Sequence, residues 1–399
     1  MHKIESAKLL KQVMTDYFIG LGNKEKKIAW CTSVGPAELL RSFGFEVYFP
    51  ENHGALLGTA RLSGEFIPVA AKLGYSSEIC SYLTSDIGSY LSKNTPMTKH
   101  YGLESVPKPD LLVYNTNQCR EVQDWMMFYA NEFKCPILGI QSPRYLDEVK
   151  TSDIDNVTAQ FKAMIPTCEE VTGLKFDLDK FKATLKISKE ATLLWKQCLE
   201  TARNVPAPIS FFDSTIHMGP IVVLRGTEVA KSYYEALLSE LNTHVQAGSG
   251  ILENEKVRVY WEGMPIWGKL RYSSDLFSSH NAAVVASTYC NSWIFDDFDE
   301  DHPFESSALA YSTIFINMSE ATKTKRMIKL IEEYQIKGVV FHEAKTCFNN
   351  SNSSFGMPQR LKEATGVETL VIEGDLCDLR FFSEAQTTTK IETFIEQIL

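Results

Sequence analysis

Short apolar runs alternate with helical stretches in the first and the last third of the chain, and this alternation constrains the fold more than any other feature of the sequence. Each run is short enough for a buried strand, and a stretch with helical spacing separates it from the next. Because such alternation is typical of parallel sheets, we expect one parallel sheet in each of the two thirds. The predicted strands are residues 27–30, 45–49, 111–114 and 136–140, and then residues 257–261, 282–286, 338–341 and 369–372.

The region between the two alternating parts is predicted to be mostly helical. Apolar residues recur at helical spacing over residues 176–203, without a glycine, and a second helix is predicted over residues 227–247. A chain of 399 residues is also too long for one simple core. We therefore predict an α/β protein in which two Rossmann-like domains with parallel sheets flank a mostly helical middle segment. The predicted boundaries are residues 1–151, 152–255 and 256–399.

Proline and glycine divide the N-terminal third further. Residues 50–54 are predicted to form a turn after the second strand. Two helices are expected next, one over residues 55–73 with an interruption near Pro68, and one over residues 76–93 with Cys80 in or near its first turn.

Two cysteines follow predicted strands from opposite thirds of the chain. Cys119 comes after the strand at residues 111–114 and four polar residues, and Cys347 follows the strand at residues 338–341 in a similar way. Open α/β sheets bind ligands at the carboxyl ends of their strands, so the two thiols suggest one shared site. In a reducing compartment, two such thiols would most simply share a metal centre.

The spacing of the cysteines limits which metal centre this can be. The chain has nine cysteines but no C-x-x-C pair, which excludes zinc-ribbon and simple ferredoxin sites. Three thiolates brought together by folding would hold three irons of a [4Fe–4S] cube and leave the fourth iron open. The alternative for any thiol is a small, buried side chain without a chemical role, and we expect it for Cys135, Cys168, Cys198, Cys290 and Cys377.

Ser33 and Glu51 also lie after predicted strands, on the same presumed edge. A hydroxyl and a carboxylate there could position a bound substrate and remove a proton from it. Each also has an ordinary structural interpretation, because serine often caps a helix and a Pro-Glu-Asn sequence often forms a turn. His342, beside another strand end, is open to two interpretations as well, as a proton carrier or as a satisfied loop histidine.

Charge and motif content exclude several classes of function. A formal net charge of −10, without a basic cluster among aromatic residues, argues against nucleic-acid binding. Neither a G-x-x-x-x-G-K-S/T loop nor a G-x-G-x-x-G turn after a strand occurs, so a common nucleotide-binding domain is not expected. There is no apolar run of about 18 residues. Residues 1–12 lack the apolar segment of a signal peptide, so we expect a cytoplasmic protein without membrane association.

Six motifs, spread in order over nearly the whole chain, resemble those of the 2-hydroxyacyl-CoA dehydratase and benzoyl-CoA reductase family. The resemblance rests on their number and order rather than on any single one. They are Trp30-Cys31-Thr32-Ser33, Tyr48-Phe49-Pro50-Glu51-Asn52, Gly74-Tyr75-Ser76-Ser77-Glu78-Ile79-Cys80, Cys119 after Asn115-Thr116-Asn117, Glu262-Gly263-Met264-Pro265-Ile266-Trp267, and Glu373-Gly374-Asp375-Leu376-Cys377-Asp378-Leu379-Arg380.

This resemblance implies an oxygen-sensitive enzyme subunit of anaerobic metabolism, which pairs with a second, related subunit in a heterodimer. By this similarity Cys80, Cys119 and Cys347 would hold a [4Fe–4S] cluster with three cysteine ligands and one open iron. A separate ATP-dependent iron–sulfur activator protein would supply a low-potential electron. In the dehydratases that electron reduces the thioester carbonyl of an (R)-2-hydroxyacyl-CoA to a ketyl radical, the hydroxyl leaves, and the electron returns after deprotonation at C3.

Ser33 and Glu51 acquire roles through the same resemblance. In catalytic dehydratase subunits a serine and a glutamate occupy these positions, which implies that the two residues contact the substrate or handle protons. Their presence favours the catalytic dehydratase subunit, because the serine is less expected in benzoyl-CoA reductase subunits. Three alternatives stay open: a subunit of ATP-dependent benzoyl-CoA reductase, a non-catalytic subunit that only relays electrons, and a ligand-binding module without metal.

Overall fold

Two four-stranded sheets form the core of the computed structural model, which describes residues 4–351 and 356–399. The first sheet has the order β2-β1-β3-β4 and the second the order β6-β5-β7-β8, and every strand pair in the described residues is parallel. Each predicted strand overlaps an observed one, and the predicted α/β class with two Rossmann-like parallel sheets is confirmed. The strands are β1 (Ile28–Cys31), β2 (Glu46–Tyr48), β3 (Leu111–Asn115), β4 (Ile137–Ile140), β5 (Val257–Glu262), β6 (Ala282–Ser287), β7 (Gly338–Ala344) and β8 (Glu368–Gly374).

Helices surround and connect the sheets. Those of the first third are α1 (Ser6–Gly20), α2 (Ala37–Ser42), α3 (Pro50–Thr59), α4 (Ser63–Ala71), α5 (Ser81–Ser92), α6 (Pro96–Tyr101) and α7 (Glu121–Phe133). The middle contains α8 (Thr151–Ala163), α9 (Ile165–Thr172), α10 (Leu178–Glu200), α11 (Phe211–His217), α12 (Gly219–Val223) and α13 (Glu228–Gln246). The last third contains α14 (Leu270–Ser279), α15 (Thr288–Asn291), α16 (Pro303–Ser312), α17 (Glu320–Glu333), α18 (Phe348–Ser351), α19 (Met357–Thr365) and α20 (Glu384–Ile398).

A search of the described helices finds none with both the length and the apolar character needed to cross a bilayer. Residues 1–3 of the N-terminal stretch considered above lie outside the described residues.

The long helix α10 of the middle region contacts both outer parts of the chain. The Ser188 hydroxyl donates a hydrogen bond to the carboxylate of Glu38, near β1, at 2.7 Å. The indole N–H of Trp195 donates to the carbonyl of Cys290, after β6, at 3.1 Å. Through these two buried hydrogen bonds, α10 connects the region around the first sheet to the region around the second. The proposed three-part division of the chain stays a prediction.

The strand order creates a crevice at the same place in each sheet. In the first sheet the chain runs from β1 to its neighbour β2 and then returns to the other side of β1 as β3, so the loops after β1 and β3 diverge. The second sheet repeats this arrangement with β5 and β7. Ligands of open α/β sheets bind at such points. Ser33 follows β1, Cys119 follows β3 and Cys347 follows β7.

The turn predicted over residues 50–54 is wrong, because these residues are helical. Phe49 has an extended backbone and α3 begins at Pro50. The proline ring fixes φ near the helical value, and its missing N–H would have no helical partner at a first position. Glu51 therefore lies in the first turn of a helix.

Three further local predictions also need correction. The helix break expected near Pro68 falls at residues 60–62, where Arg61 has a φ of 60°, whereas Pro68 lies inside α4. The helix predicted to start at residue 76 begins at Ser81, and Cys80 is its N-cap. His342 lies within β7 rather than beyond its end, and its Nδ1 donates a hydrogen bond to the carbonyl of Met264 at 2.6 Å.

Candidate functional site

One cavity of about 470 Å³ brings together five candidate site residues predicted from the sequence, whereas His342 does not line it. Its wall contains the loops that follow β1, β3, β5, β6 and β7, so it lies between the carboxyl edges of the two sheets. Its volume is in the range of small-molecule sites. The predicted residues that line it are Ser33, Glu51, Cys80, Cys119 and Cys347.

The three thiols reach this cavity from both sheets. Cys119 lies between β3 and α7, and Cys347 lies between β7 and α18. Cys80 comes from the N-terminus of α5, which packs against α3, α4 and α7. All three side chains are partly exposed. Two parts of the chain that are far apart in sequence thus supply thiols to one wall.

A group of three buried residues, which we name the threonine clamp, holds Cys80 and Cys347 in register. It consists of Ser81, Thr346 and Asp375. Asp375 Oδ1 accepts hydrogen bonds from the backbone N–H of Thr346 at 2.9 Å and from its hydroxyl at 2.6 Å. The Thr346 oxygen accepts a hydrogen bond from the backbone N–H of Ser81 at 3.0 Å. Because Ser81 and Thr346 are the chain neighbours of the two cysteines, the clamp fixes one thiol relative to the other.

The three thiols affect one another electrostatically. Burial raises the pKa of the Cys80 thiol, and the nearby Cys347 raises it further. Burial likewise raises the pKa of Cys119, to which the charges of Cys80, Glu121 and Cys347 add. Burial also raises the pKa of Cys347, against a hydrogen bond from the side-chain amide of Asn350. Three thiolates at this place would repel one another unless a cationic group lay between them.

The donor set on this wall is three thiols, the usual ligands of iron–sulfur clusters in proteins. Within residues 4–351 and 356–399, no three His, Cys, Asp or Glu side chains lie close enough together to hold one ion. A cube of four irons is wider than one ion, so its ligand sulfurs stand farther apart. Three partly exposed thiols on one wall, with a cavity in front of them, leave room for such a group.

Glu51 is anchored at one carboxylate oxygen and free at the other. Its Oε1 accepts hydrogen bonds from the backbone N–H of Ser33 at 2.9 Å and from the side-chain amide of Gln118 at 2.6 Å. Its Oε2 is buried and has no partner among the described residues. Burial raises the pKa of the Glu51 carboxyl, and the donors of Ser33 and Gln118 oppose that rise. A fixed carboxylate with one unsatisfied oxygen is suited to take a proton from a ligand in the cavity.

Gln118 is the functional residue that the sequence prediction missed. It lines the cavity, and its amide connects the Glu51 carboxylate to the loop that carries Cys119. Its position directly before Cys119, at the end of a strand, was the available signal. A glutamine in a polar loop has many roles, so that signal alone could not select it.

Buried polar side chains fix the loops after β1 and β3 to each other. The side-chain amide of Asn117 donates hydrogen bonds to the carbonyl of Val34 at 3.0 Å and to that of Tyr311 at 2.8 Å. The backbone N–H of Asn115 donates to the hydroxyl of Thr32 at 3.0 Å. Ser33 and Cys119 are therefore held on loops that cannot move independently.

The remaining predicted cysteines do not line the cavity. Four of them are buried, as expected for small core side chains, and Cys135 is half-buried at the start of the segment before β4. The buried four are Cys168, Cys198, Cys290 and Cys377.

A second depression, of about 640 Å³, lies open on the outer side of α7. Its lining includes Tyr75, Arg120 and Phe128, and it shares Glu121 with the cavity. It contains no thiol, and among the residues that line it Glu121, Asp124 and Glu132 leave it net negative. The cavity between the two sheets is the better candidate because the thiols and Glu51, whose Oε2 has no partner among the described residues, line it.

Comparison with known proteins gives matches over almost the whole chain. The sequence model of the 2-hydroxyglutaryl-CoA dehydratase, D-component, matches residues 32–398. The (R)-2-hydroxyisocaproyl-CoA dehydratase alpha subunit of Clostridioides difficile is 31% identical, over 93% of this chain and 90% of the relative. The (R)-phenyllactyl-CoA dehydratase alpha subunit of Clostridium sporogenes is 28% identical, over 92% of this chain and 88% of the relative. A benzoyl-CoA reductase subunit of Thauera aromatica is 31% identical, over 90% of this chain and 86% of the relative.

Proposed function

Because the chain belongs to the 2-hydroxyglutaryl-CoA dehydratase, D-component, family, we propose that it is the catalytic iron–sulfur subunit of an (R)-2-hydroxyacyl-CoA dehydratase in the cytoplasm of an anaerobic cell. The reaction removes water from the 2-hydroxyacyl-CoA and yields the 2-enoyl-CoA. The observation that carries this proposal is the convergence of three thiols with Ser33 and Glu51 on one cavity.

Cys80, Cys119 and Cys347 would hold a [4Fe–4S] cluster with one open iron. When bound, the cluster supplies one-electron chemistry and a Lewis acid for the substrate oxygen. Support comes from the partial exposure of the three thiols, their mutual electrostatic effect and the clamp that aligns two of them. Iron would also relieve the repulsion among three thiolates on one cavity wall.

Glu51 would accept the proton from C3 of the substrate. Its Oε1 accepts hydrogen bonds from Ser33 and Gln118, whereas its Oε2 lacks a partner in the described structure. Oε2 is therefore the oxygen that would take the proton. Ser33 lines the same cavity and its hydroxyl would orient the substrate beside Glu51. The C3 hydrogen of a closed-shell thioester is barely acidic, so this step requires prior one-electron reduction of the substrate.

Two protein partners belong to the proposal. One is a second, related dehydratase subunit, which the alpha-subunit names of the relatives support. The other is an ATP-dependent iron–sulfur activator that delivers the electron. The chain has no common ATP-binding motif, which is consistent with ATP hydrolysis on a separate protein.

A subunit of ATP-dependent benzoyl-CoA reductase is the second candidate. It is favoured by the 31% identity to the Thauera aromatica reductase subunit and by an aromatic cavity wall that includes Trp125, Trp267 and Tyr289. The free Glu51 oxygen favours the dehydratase, because water elimination requires a proton acceptor at C3. A subunit that only relays electrons would have no use for this arrangement.

The test is anaerobic purification of the complex with its partner subunit, followed by iron and sulfide analysis and by assays with hydroxyacyl-CoA and benzoyl-CoA. With activator, ATP and a reductant, we expect 2-enoyl-CoA from hydroxyacyl-CoA and no ring reduction. Full iron and sulfide in a Cys119→Ala variant would contradict the ligand assignment. Full activity of a Ser33→Ala, Glu51→Ala double variant would contradict the catalytic role of this subunit.

A further inference from the structure

Charge is distributed unevenly around the cavity. Among the described residues that line it there is no lysine, arginine or histidine, and the charged side chains are the carboxylates of Glu51 and Glu121. Much of the remaining wall is apolar or aromatic, including Trp293 and Phe315. A ligand group that enters the cavity therefore meets negative charge and apolar surface.

Two buried cations near the cavity are committed to other groups. The guanidinium of Arg225 pairs with Glu38 at 3.2 Å and donates hydrogen bonds to the carbonyls of Gly35 and Val222, both at 2.8 Å. The ammonium of Lys323 lies 5.6 Å from the ring centroid of Phe315 and does not line the cavity. Neither could pair with an anion in the cavity without breaking contacts of its own.

A second carboxylate on the acyl group would be destabilised in this cavity. It would lose its hydration, gain no cation and face two carboxylates of the same sign. An alkyl or aryl group would instead bury apolar surface against the aromatic wall. The same absence of cations places the phosphates of CoA outside the cavity, so the cavity receives the acyl end of the thioester.

On the premise of the proposed dehydratase function, we infer that this chain acts on hydroxyacyl-CoA thioesters whose acyl chain beyond C3 is uncharged and apolar, either aliphatic or aromatic. Dicarboxylic thioesters such as 2-hydroxyglutaryl-CoA are excluded by charge rather than by size.

A matched substrate pair separates charge from length. 2-Hydroxypentanoyl-CoA and 2-hydroxyglutaryl-CoA have acyl chains of the same length. The first ends in a methyl group and the second in a carboxylate. The 5-amide of the second compound keeps its size and polarity and removes its charge. With the complete complex, activator, ATP and reductant, we expect kcat/KM for the glutaryl compound to be lower than for the pentanoyl compound by about 100-fold or more, the cost of an unpaired buried charge. The amide should lie between them.

Binding of unreactive thioesters gives a second readout that does not depend on turnover. Pentanoyl-CoA should bind the anaerobic complex more tightly than glutaryl-CoA by a similar factor, measured by calorimetry. The inference would be overturned if glutaryl-CoA bound as tightly as pentanoyl-CoA or more tightly. It would also be overturned if 2-hydroxyglutaryl-CoA were dehydrated at least as well as 2-hydroxypentanoyl-CoA, and that result would leave the dehydratase function intact. Preferential binding of pentanoyl-CoA without any dehydration would support the inference while the proposed reaction fails.

Met14 offers a variant that tests the charge argument directly. It is half-buried on α1, lines the cavity and has no part in the proposed chemistry. Met14→Arg introduces a cation at the cavity wall, and Met14→Gln provides a polar side chain without charge. We expect the arginine variant, and not the glutamine variant, to bind glutaryl-CoA at least about 10-fold more tightly than the natural protein does, as for a charge-assisted contact. A role for charge would be contradicted if only the Met14→Gln variant, and not Met14→Arg, lost the preference for pentanoyl-CoA over glutaryl-CoA.

Discussion

The carboxyl group of Glu51 is subject to two opposing influences at the residue scale. Its place in the first turn of α3 and the N–H donors of Ser33 and Gln118 favour the carboxylate form. Burial favours the neutral form and is the larger effect, so the pKa is raised from the ordinary value of 4.5. The residue is therefore placed to exchange a proton at a higher pH than an exposed glutamate does.

Replacement of Glu51 by glutamine should remove proton transfer without removing the side chain's anchoring. Gln118 and the Ser33 N–H can still donate to the amide oxygen of glutamine. We expect kcat to fall by about 10²- to 10⁴-fold, the usual contribution of a general base. In the natural protein, kcat should decline as pH falls through the raised pKa of Glu51. Glu65→Gln, at an exposed position on α4, is the matched control and should keep both the rate and the pH profile.

The same substitution should not lower stability at neutral pH. Because the folded-state pKa of Glu51 is raised, protonation stabilises the folded protein, fully below pH 4.5, and this stabilisation is lost as pH rises through the raised pKa. Thermal unfolding under anaerobic conditions should give Glu51→Gln a Tm at least equal to that of the natural protein at pH 7. Its advantage should shrink as pH is lowered. A variant that is clearly less stable at pH 7 would argue against burial as the dominant influence.

At the scale of elements, the threonine clamp joins α5 to the loop after β7 by side-chain and backbone hydrogen bonds. Its three residues are separated by 265 and by 29 positions in the sequence. Ser81, Thr346 and Asp375 are buried, so the bonds between them are shielded from water. The position of Cys80 relative to Cys347 thus depends on one threonine hydroxyl.

Thr346→Val keeps the shape of this side chain and removes the hydroxyl, which leaves the Ser81 N–H and one Asp375 contact unsatisfied. We expect unfolding free energy to fall by about 1–3 kcal/mol, the cost of an unpaired buried polar group. Iron and sulfide per protein should also fall, because the two cysteines lose their fixed spacing. Thr346→Ser retains the hydroxyl and should restore both values. Full iron content and stability in the valine variant would show that the clamp is dispensable.

At the scale of the whole molecule, the strands could be predicted from the sequence and the contacts between distant loops could not. All eight strands were recognisable because they are short, apolar runs such as residues 111–114, bounded by polar stretches. The helix start at Pro50 was missed because proline and asparagine favour turns as well as first helical turns. The Glu51–Gln118 bond and the clamp join residues whose proximity depends on tertiary packing. Cys119, Cys347, Ser33 and Glu51 were candidates because each follows a predicted strand. Cys80 and the assignment of roles came from a family resemblance, which already contains that packing.

The division of thiols between the two sheets predicts a dependence of global stability on iron. Cys119 belongs to the first sheet and Cys347 to the second, so a bound cluster would connect the two halves. Anaerobic removal of iron by a chelator should lower Tm by several degrees and increase limited proteolysis, since a group that binds only the folded state stabilises it. Restoring iron and sulfide should reverse both changes. An unchanged Tm after complete iron removal would mean that the halves are held together without it.

The donors around Glu51 have a consequence for the fate of the abstracted hydrogen. Its hydrogen-bond partners among the described residues are the Ser33 N–H and the Gln118 amide, which offer hydrogen and cannot carry it away. In the proposed dehydration, the proton that Glu51 takes from C3 would then pass to the departing hydroxyl, and the base would be reset as that water molecule leaves the cavity.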